Sequence, residues 1–146
     1  MDDEAIVAHA LAIVERDLKN PGEAYDSSAG VSDFLRLKMS AYEREVFAVM
    51  LLDTRHRLIE FAELFFGTVN KAHVYPREIV KASLAANAAA VILAHNHPSG
   101  VAEPSSTDLV LTKQLKEALA LLDIAVLDHF IVCQGTTVSL ASRGLV

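Results

Sequence analysis

The sequence predicts an α/β fold, a mixed β-sheet flanked by helices in a sandwich. Three observations support this. Helix-period apolar segments and short β-rich runs alternate along the 146 residues in the order α, α, β, β, α, β, α, β, β. Apolar residues make up 52% of the chain and charged residues 22%, enough to bury a core in one compact domain. The longest apolar run, AAAVILA, is continuous rather than alternating, as a strand covered on both faces requires.

Taken in order, residues 3–19 carry apolar side chains at helical spacing and end at Asn20-Pro21-Gly22, a helix stop. Residues 23–30, EAYDSSAG, read as a polar loop. A second helix is expected over 31–40, with Ser32 as its N-cap and Phe34, Leu35 and Leu37 among its apolar residues. VFAVMLLD and LIEFAELFFGT flank the polar turn Thr54–Arg57 and predict an antiparallel hairpin, with Gly67 closing or bulging its second arm. Pro76-Arg77-Glu78 opens a helix to about Asn87, Pro and Glu both suiting a first turn. AAAVILAHNHP follows as a buried strand, and HNHPSGVAEPS as a loop broken by Pro98, Gly100 and Pro104. An amphipathic helix is expected from about Ser106 to Leu122, with leucines at 109, 111, 115, 119 and 122. IAVLDHFIVC and TTVSLA complete the sheet around a turn at Gln134-Gly135. The domain reading is an N-terminal helix and linker over 1–30 and a single domain over 31–146.

The formal net charge of −6 disfavours nonspecific binding to duplex DNA, and the one basic cluster, Arg55-His56-Arg57, is too short for a binding footprint. Cys133 is the only cysteine, so no internal disulfide forms, which suits a reducing compartment. The acidic start MDDEA carries no signal-peptide core, and no apolar run is long enough to span a bilayer. These features together predict a cytoplasmic protein without a membrane partner.

Two histidines one residue apart sit where the buried strand ends. On extended backbone, residues i and i+2 face the same side, so His95 and His97 converge on one point. Asp108 lies eleven residues beyond His97, in the first turn of the next helix, and the Pro- and Gly-containing loop can fold that turn back over the strand end. Two imidazoles and a carboxylate are a zinc donor set, with a fourth position left for water. Each residue also has an ordinary reading. A His-x-His pair alone is often a surface or hydrogen-bonded feature. Ser105-Ser106-Thr107-Asp108 resembles a capping box with Asp in the role of Glu. The combined spacing favours the ligand set.

His95-Asn96-His97, seven residues, Ser105, two residues and Asp108 together match the His-x-His, Ser, Asp pattern of the JAMM (MPN+) metalloproteases. The text around them resembles the RadC branch of that superfamily: HNHPSG, EPSSTD, LTKQLKEALALLDIAVLDHFIV, GTVNKAHVYPREIVKASLAANAAAVILA and the terminal VSLASRGL. The resemblance runs from about residue 31 to 146. It implies the JAMM/MPN (cytidine deaminase-like) sandwich and one Zn²⁺ per chain held by His95, His97 and Asp108. It also implies an upstream Glu at a strand start acting as general base. Glu45, directly before VFAVMLLD, fits that place; Glu63 on the following strand is the second choice, and Glu43 fits only with a register change. Ser105 matches the family serine, whose hydroxyl stabilises a tetrahedral oxyanion. Its capping role is the competing reading, and the two coexist only if the hydroxyl switches partners. Asn96 stands where many members carry Ser or Thr, a departure typical of the RadC branch.

The Asp128-His129 pair belongs to the resemblance but has no evident catalytic role; a buried hydrogen-bonded pair or support for the metal ligands is expected. His9, His56 and His73 have no partner at ligand spacing and read as surface residues. Cys133 reads as a small buried apolar residue, and Arg77-Glu78 as the anchor of a helix start. The function implied is a zinc-dependent hydrolase acting on peptide or isopeptide bonds, with a protein or peptide substrate. Two alternatives differ in class: an accessory or DNA-repair-associated binding module with a metal site, and a metal-dependent nuclease. Longer RadC members carry a helix-hairpin-helix region; about 30 residues precede the domain here and show no such repeat, so the chain reads as a short form. An acidic, single-metal site also suits phosphodiesters less well than a basic or two-metal one.

Overall fold

The computed structural model describes residues 2–20, 27–67 and 73–146. Their elements follow the predicted order: α1 (Asp3–Lys19), α2 (Ser27–Met39), β1 (Val46–Leu52), β2 (Leu58–Phe66), α3 (Pro76–Ala85), β3 (Ala90–Asn96), α4 (Ser106–Ala120), β4 (Ala125–Cys133) and β5 (Thr136–Ser139), then a 3₁₀ turn at Ala141–Arg143. The strands form one mixed sheet in the order β2-β1-β3-β4-β5. β1 runs antiparallel to β2 and β3, β3 parallel to β4, and β4 antiparallel to β5. This is the α/β architecture expected of the JAMM/MPN sandwich. Among the described residues, no helix is long and apolar enough to cross a membrane.

The central strands explain the continuous apolar runs. All seven residues of β1 and all seven of β3 are buried. Val46, Ala48, Met50 and Leu52 join Ala90, Ile92 and Ala94 under α1 and α2, while Phe47, Val49 and Leu51 join Val91 and Leu93 under α3 and α4. Period-2 alternation therefore feeds two apolar cores on opposite faces of one sheet.

Three register shifts break that alternation, one of them near the start of β2, where Leu51 pairs with Glu60 and Leu52 with Leu58 and Ile59 is extra. In β2, Phe47 pairs with Phe65 and Ala48 with Glu63, so Leu64 is the extra residue. In β4, Val91 pairs with Val126 and Ile92 with Asp128, so Leu127 is extra. A bulge reverses the phase of every side chain beyond it.

Several boundaries differ from the sequence reading. α2 begins at Ser27, so Ser32 is no N-cap but an interior residue whose Oγ shares a hydrogen bond with Thr137 Oγ1 at 2.7 Å. Gly30 inside a helix costs about 1 kcal/mol relative to Ala. Burial of Val31, Phe34, Leu35 and Met39 offsets this, at about 1.5–3 kcal/mol for each large apolar side chain. α3 stops at Ala85 because Asn87 takes a left-handed φ of 53°. α4 stops at Ala120, leaving Leu122 exposed rather than in the core. The Pro21-Gly22 stop and residues 23–26 of the expected loop lie outside the described residues.

The hairpin turn is held by Asp53, whose Oδ1 accepts from the backbone N–H of Arg55 and Arg57, both at 2.9 Å, while Oδ2 accepts from Arg57 Nε at 2.8 Å. Arg55-His56-Arg57 is thus a turn at the C-terminal end of β1, the opposite end from Glu45. At the other hairpin, Gln134 and Gly135 both have positive φ, 42° and 81°, as a two-residue turn between twisted strands requires.

Candidate metal centre

Three elements meet at one end of the sheet: the C-terminal end of β3, the start of β1, and the N-terminus of α4. His95 is the penultimate residue of β3, 1% exposed, and its ring stacks on Phe47, its partner across β1, at 5.9 Å between centroids and 11° between planes. His97 follows the strand directly. Its N–H donates to Val132 C=O of β4 at 2.9 Å, which holds the chain extended one step beyond the sheet. The i, i+2 geometry then brings the two Nε2 atoms to 2.9 Å from one another.

Asp108 arrives from the first turn of α4, fixed by the capping box. Ser105 Oγ accepts from Asp108 N–H at 3.0 Å, and Asp108 Oδ2 accepts from Ser105 N–H at 2.8 Å. The capping geometry of Asp108 is therefore compatible with its reading as a candidate ligand. The cap fixes the rotamer that places Oδ1 at 3.3 Å from His95 Nε2 and Oδ2 at 3.4 Å from His97 Nε2. Ser105 needs no change of partner either, a correction to the sequence reading. Capping uses a lone pair of its oxygen and leaves the O–H free to donate.

The ring tautomers follow from two carbonyl oxygens, which only accept. Thr112 O–H donates to Asp108 C=O at 2.7 Å, so Thr112 Oγ1 receives the Nδ1–H of His129 at 2.6 Å. His129 is fully buried, and burial pushes its imidazole well below the ordinary histidine range, so it is neutral. Its bare Nε2 then accepts from His95 Nδ1–H at 2.7 Å. His97 Nδ1–H donates to Val101 C=O at 2.8 Å. Both chains end with a lone pair on Nε2, one on His95 and one on His97, aimed at the same point as the Asp108 carboxylate.

Burial opposes ionisation of Asp108, but protons bound at the Nε2 positions of His95 and His97 would hydrogen-bond to its carboxylate, and this outweighs burial and holds the carboxyl below its ordinary range. When His97 takes up a proton at Nε2, the hydrogen bond this makes to Asp108 raises its pKa against the opposing effect of burial, with smaller contributions from Val101 and the charge of Glu45. A proton and a metal ion thus compete for the same nitrogen.

The donor set fits a small divalent ion. In a tetrahedron with bonds of about 2.0–2.1 Å, ligand atoms stand roughly 3.3 Å apart. The two Nε2 atoms are 2.9 Å apart and a different Asp108 oxygen faces each, Oδ1 at 3.3 Å and Oδ2 at 3.4 Å; with one ligand atom taken from each residue, all three lie within 4.8 Å of one another. His95, His97 and Asp108 could therefore hold a metal ion. The cluster opens into a cleft of about 340 Å³ whose wall includes Glu45, Ser99 and Ser105 beside apolar Phe47, Val74 and Leu111.

Of the candidate glutamates, the structure brings Glu45 to the cleft and leaves the others outside it. Glu63 pairs with Ala48, on the sheet face under α1 and α2, and accepts from Tyr42 O–H at 3.1 Å. Glu43 is exposed in the turn before β1. His9, His56 and His73 are exposed, and Cys133 is buried, as expected.

His129 is hydrogen-bonded to the candidate ligand His95, but Asp128 is not its side-chain partner. Asp128 Oδ1 accepts from the N–H groups of His129 and Ala141 at 2.7 and 2.9 Å, and Oδ2 from Ser139 O–H at 2.5 Å, tying β4 to the C-terminal turn. Sequence reasoning missed Thr112 and the role of Asn96. Thr112 stands four residues after Asp108, on the same helix face, which was the available signal.

The RadC-like JAB domain family matches residues 25–145. A UPF0758 protein of Methylibium petroleiphilum is 56% identical over 144 residues, covering 97% of this chain and 65% of its own length. One of Leptothrix cholodnii is 55% identical over 134 residues, 92% of this chain and 60% of its own. One of Vibrio cholerae is 55% identical over 142 residues, 97% of this chain and 89% of its own. The chain thus spans less than two thirds of the first two relatives.

Proposed function

Because the chain belongs to the RadC-like JAB domain family, we propose that it is a zinc-dependent hydrolase of the metallopeptidase kind, cleaving peptide or isopeptide bonds of a protein or peptide substrate. One observation carries the reading. Two imidazole nitrogens with fixed lone pairs and a carboxylate converge, one ligand atom from each within 4.8 Å of the others, beside a cleft that contains a further carboxylate.

A zinc ion held by His95, His97 and Asp108 supplies Lewis acidity and activates water. The protein's own groups do the rest. Glu45 acts as general base, taking a proton at its carboxylate and returning it to the leaving amine. The Ser105 O–H donates to the oxyanion that develops on the substrate carbonyl. Phe47, Val74 and Leu111 give the cleft an apolar wall that limits water around the reacting groups.

The test is metal analysis coupled to turnover of a peptide or isopeptide library. The wild-type chain is expected to bind about one zinc. Glu45→Gln should keep the metal and lose about 10²–10⁴-fold in turnover. Zinc retention with unchanged turnover would remove Glu45 as the base. Failure of the wild-type chain to take up zinc would remove the hydrolase reading itself.

A further inference from the structure

Asn96 stands between the two histidines, yet strand alternation turns its side chain from the face that His95 occupies. It is 3% exposed, and both ends of its amide are engaged. Oδ1 accepts from Val46 N–H at 2.7 Å, and Nδ2 donates to Arg44 C=O at 2.9 Å. These peptide groups flank Glu45. The Glu45 carbonyl points to the other neighbouring strand and accepts from Gly67 N–H at 2.8 Å. Glu45 is thereby tethered from both sides.

The β1–β3 ladder explains why a side chain is needed. Its last registered pair is Phe47 with His95. Beyond it, the His97 N–H turns to Val132 of β4, and the backbone of β3 no longer serves Arg44 and Val46. The Asn96 amide, offering its oxygen to Val46 and one N–H to Arg44, replaces the missing peptide. Asp would offer acceptors only, and a Ser or Thr hydroxyl is a single atom that cannot span both groups.

Resting on the reading of Glu45 as base, we propose that Asn96 is a positioning residue, whose amide clamps Arg44 and Val46 so that the Glu45 carboxylate stays at the cleft. Asn96 touches neither metal nor substrate; it acts through Glu45.

The experiment uses the full chain loaded with cobalt(II), following its visible spectrum with pH in wild type, Asn96→Ala, Glu45→Gln and the double variant. Asn96→Ala should bind cobalt as tightly as wild type and move the pH midpoint of the spectrum in the same direction as Glu45→Gln. It should add nothing in the Glu45→Gln background. Amide exchange at Val46 should quicken about tenfold. Asn96→Asp, which keeps the volume and the acceptor for Val46, serves if the alanine variant does not fold. A lowered thermal midpoint with an unmoved spectral midpoint would overturn the proposal, as would shifts that add in the double variant. Failure of the wild-type chain to bind cobalt would instead refute the metal reading, and the clamp's catalytic meaning with it.

Discussion

Replacing Thr112 by valine removes one hydroxyl and keeps the branched shape of a 1%-exposed side chain. The Asp108 carbonyl loses only its second donor, but His129 Nδ1–H loses its acceptor at 2.6 Å in a fully buried setting. An unpartnered buried donor costs about 1–3 kcal/mol. His129 can relieve this by moving its proton to Nε2, which then faces the Nδ1–H of His95 at 2.7 Å. That conflict is relieved when His95 moves its own proton to Nε2, blocking the nitrogen that points at Asp108 and His97. The cost therefore appears in metal affinity. Loss of such a supporting contact weakens binding about 10- to 100-fold, or about 1.4–2.8 kcal/mol, in agreement with the cost of the stranded donor. Competition against a chromophoric chelator at neutral pH measures it, with Thr112→Ser as the control that retains the hydroxyl. Unchanged affinity in Thr112→Val, whatever its thermal midpoint, would refute the link between this relay and the metal site.

Three further outcomes are expected. His97→Ala should lose bound zinc while retaining the fold, because His97 is a loop residue outside both apolar cores; metal analysis and circular dichroism check this. In the metal-free chain, His97 is held above its ordinary 6.5 chiefly by its hydrogen bond to Asp108. Its contribution to stability is thus complete below pH 6.5 and lost as pH rises through the raised value, while that of Asp108 is present above 3.8 and lost as pH falls through its lowered value. Thermal midpoints across pH should show both losses, and Asp108→Asn should flatten them. Asp128→Ala strands the N–H of His129 and of Ala141 and frees Ser139; it should lower the thermal midpoint by several degrees, with faster amide exchange confined first to the C-terminal turn.

The alternation of helices and strands was legible because the two central strands, buried on both faces, read as unbroken apolar runs. The three candidate ligands were legible because strand parity unites His95 with His97 and a helix start fixes Asp108. Less was visible where a tertiary detail changes the phase. Counting by twos from Val126 puts His129 on the wrong face, and only the bulge at Leu127 returns it beside His95. Glu63 looked available until its pairing with Ala48 placed it on the far side of the sheet. Ser32 matched an N-cap pattern, but packing of Val31, Phe34 and Leu35 carries the helix through Gly30. Asn96 stood out only as a departure from Ser or Thr, and its contacts were not legible, because a side chain standing in for a peptide group has no sequence period.

The extra residue in β4 also divides that strand into two segments with separate reading frames. Val126 and His129 both face the α3 and α4 side although three positions apart, an odd spacing that a regular strand forbids. Excising Leu127 would straighten the strand and still leave His129 opposite Leu93, since the pairing resumes at Asp128. Excising a residue between Phe130 and Val132 would instead shift the carbonyl that receives His97 N–H. Tolerance to length change along this one strand is therefore uneven, and it falls to its lowest where the strand borders the candidate metal centre.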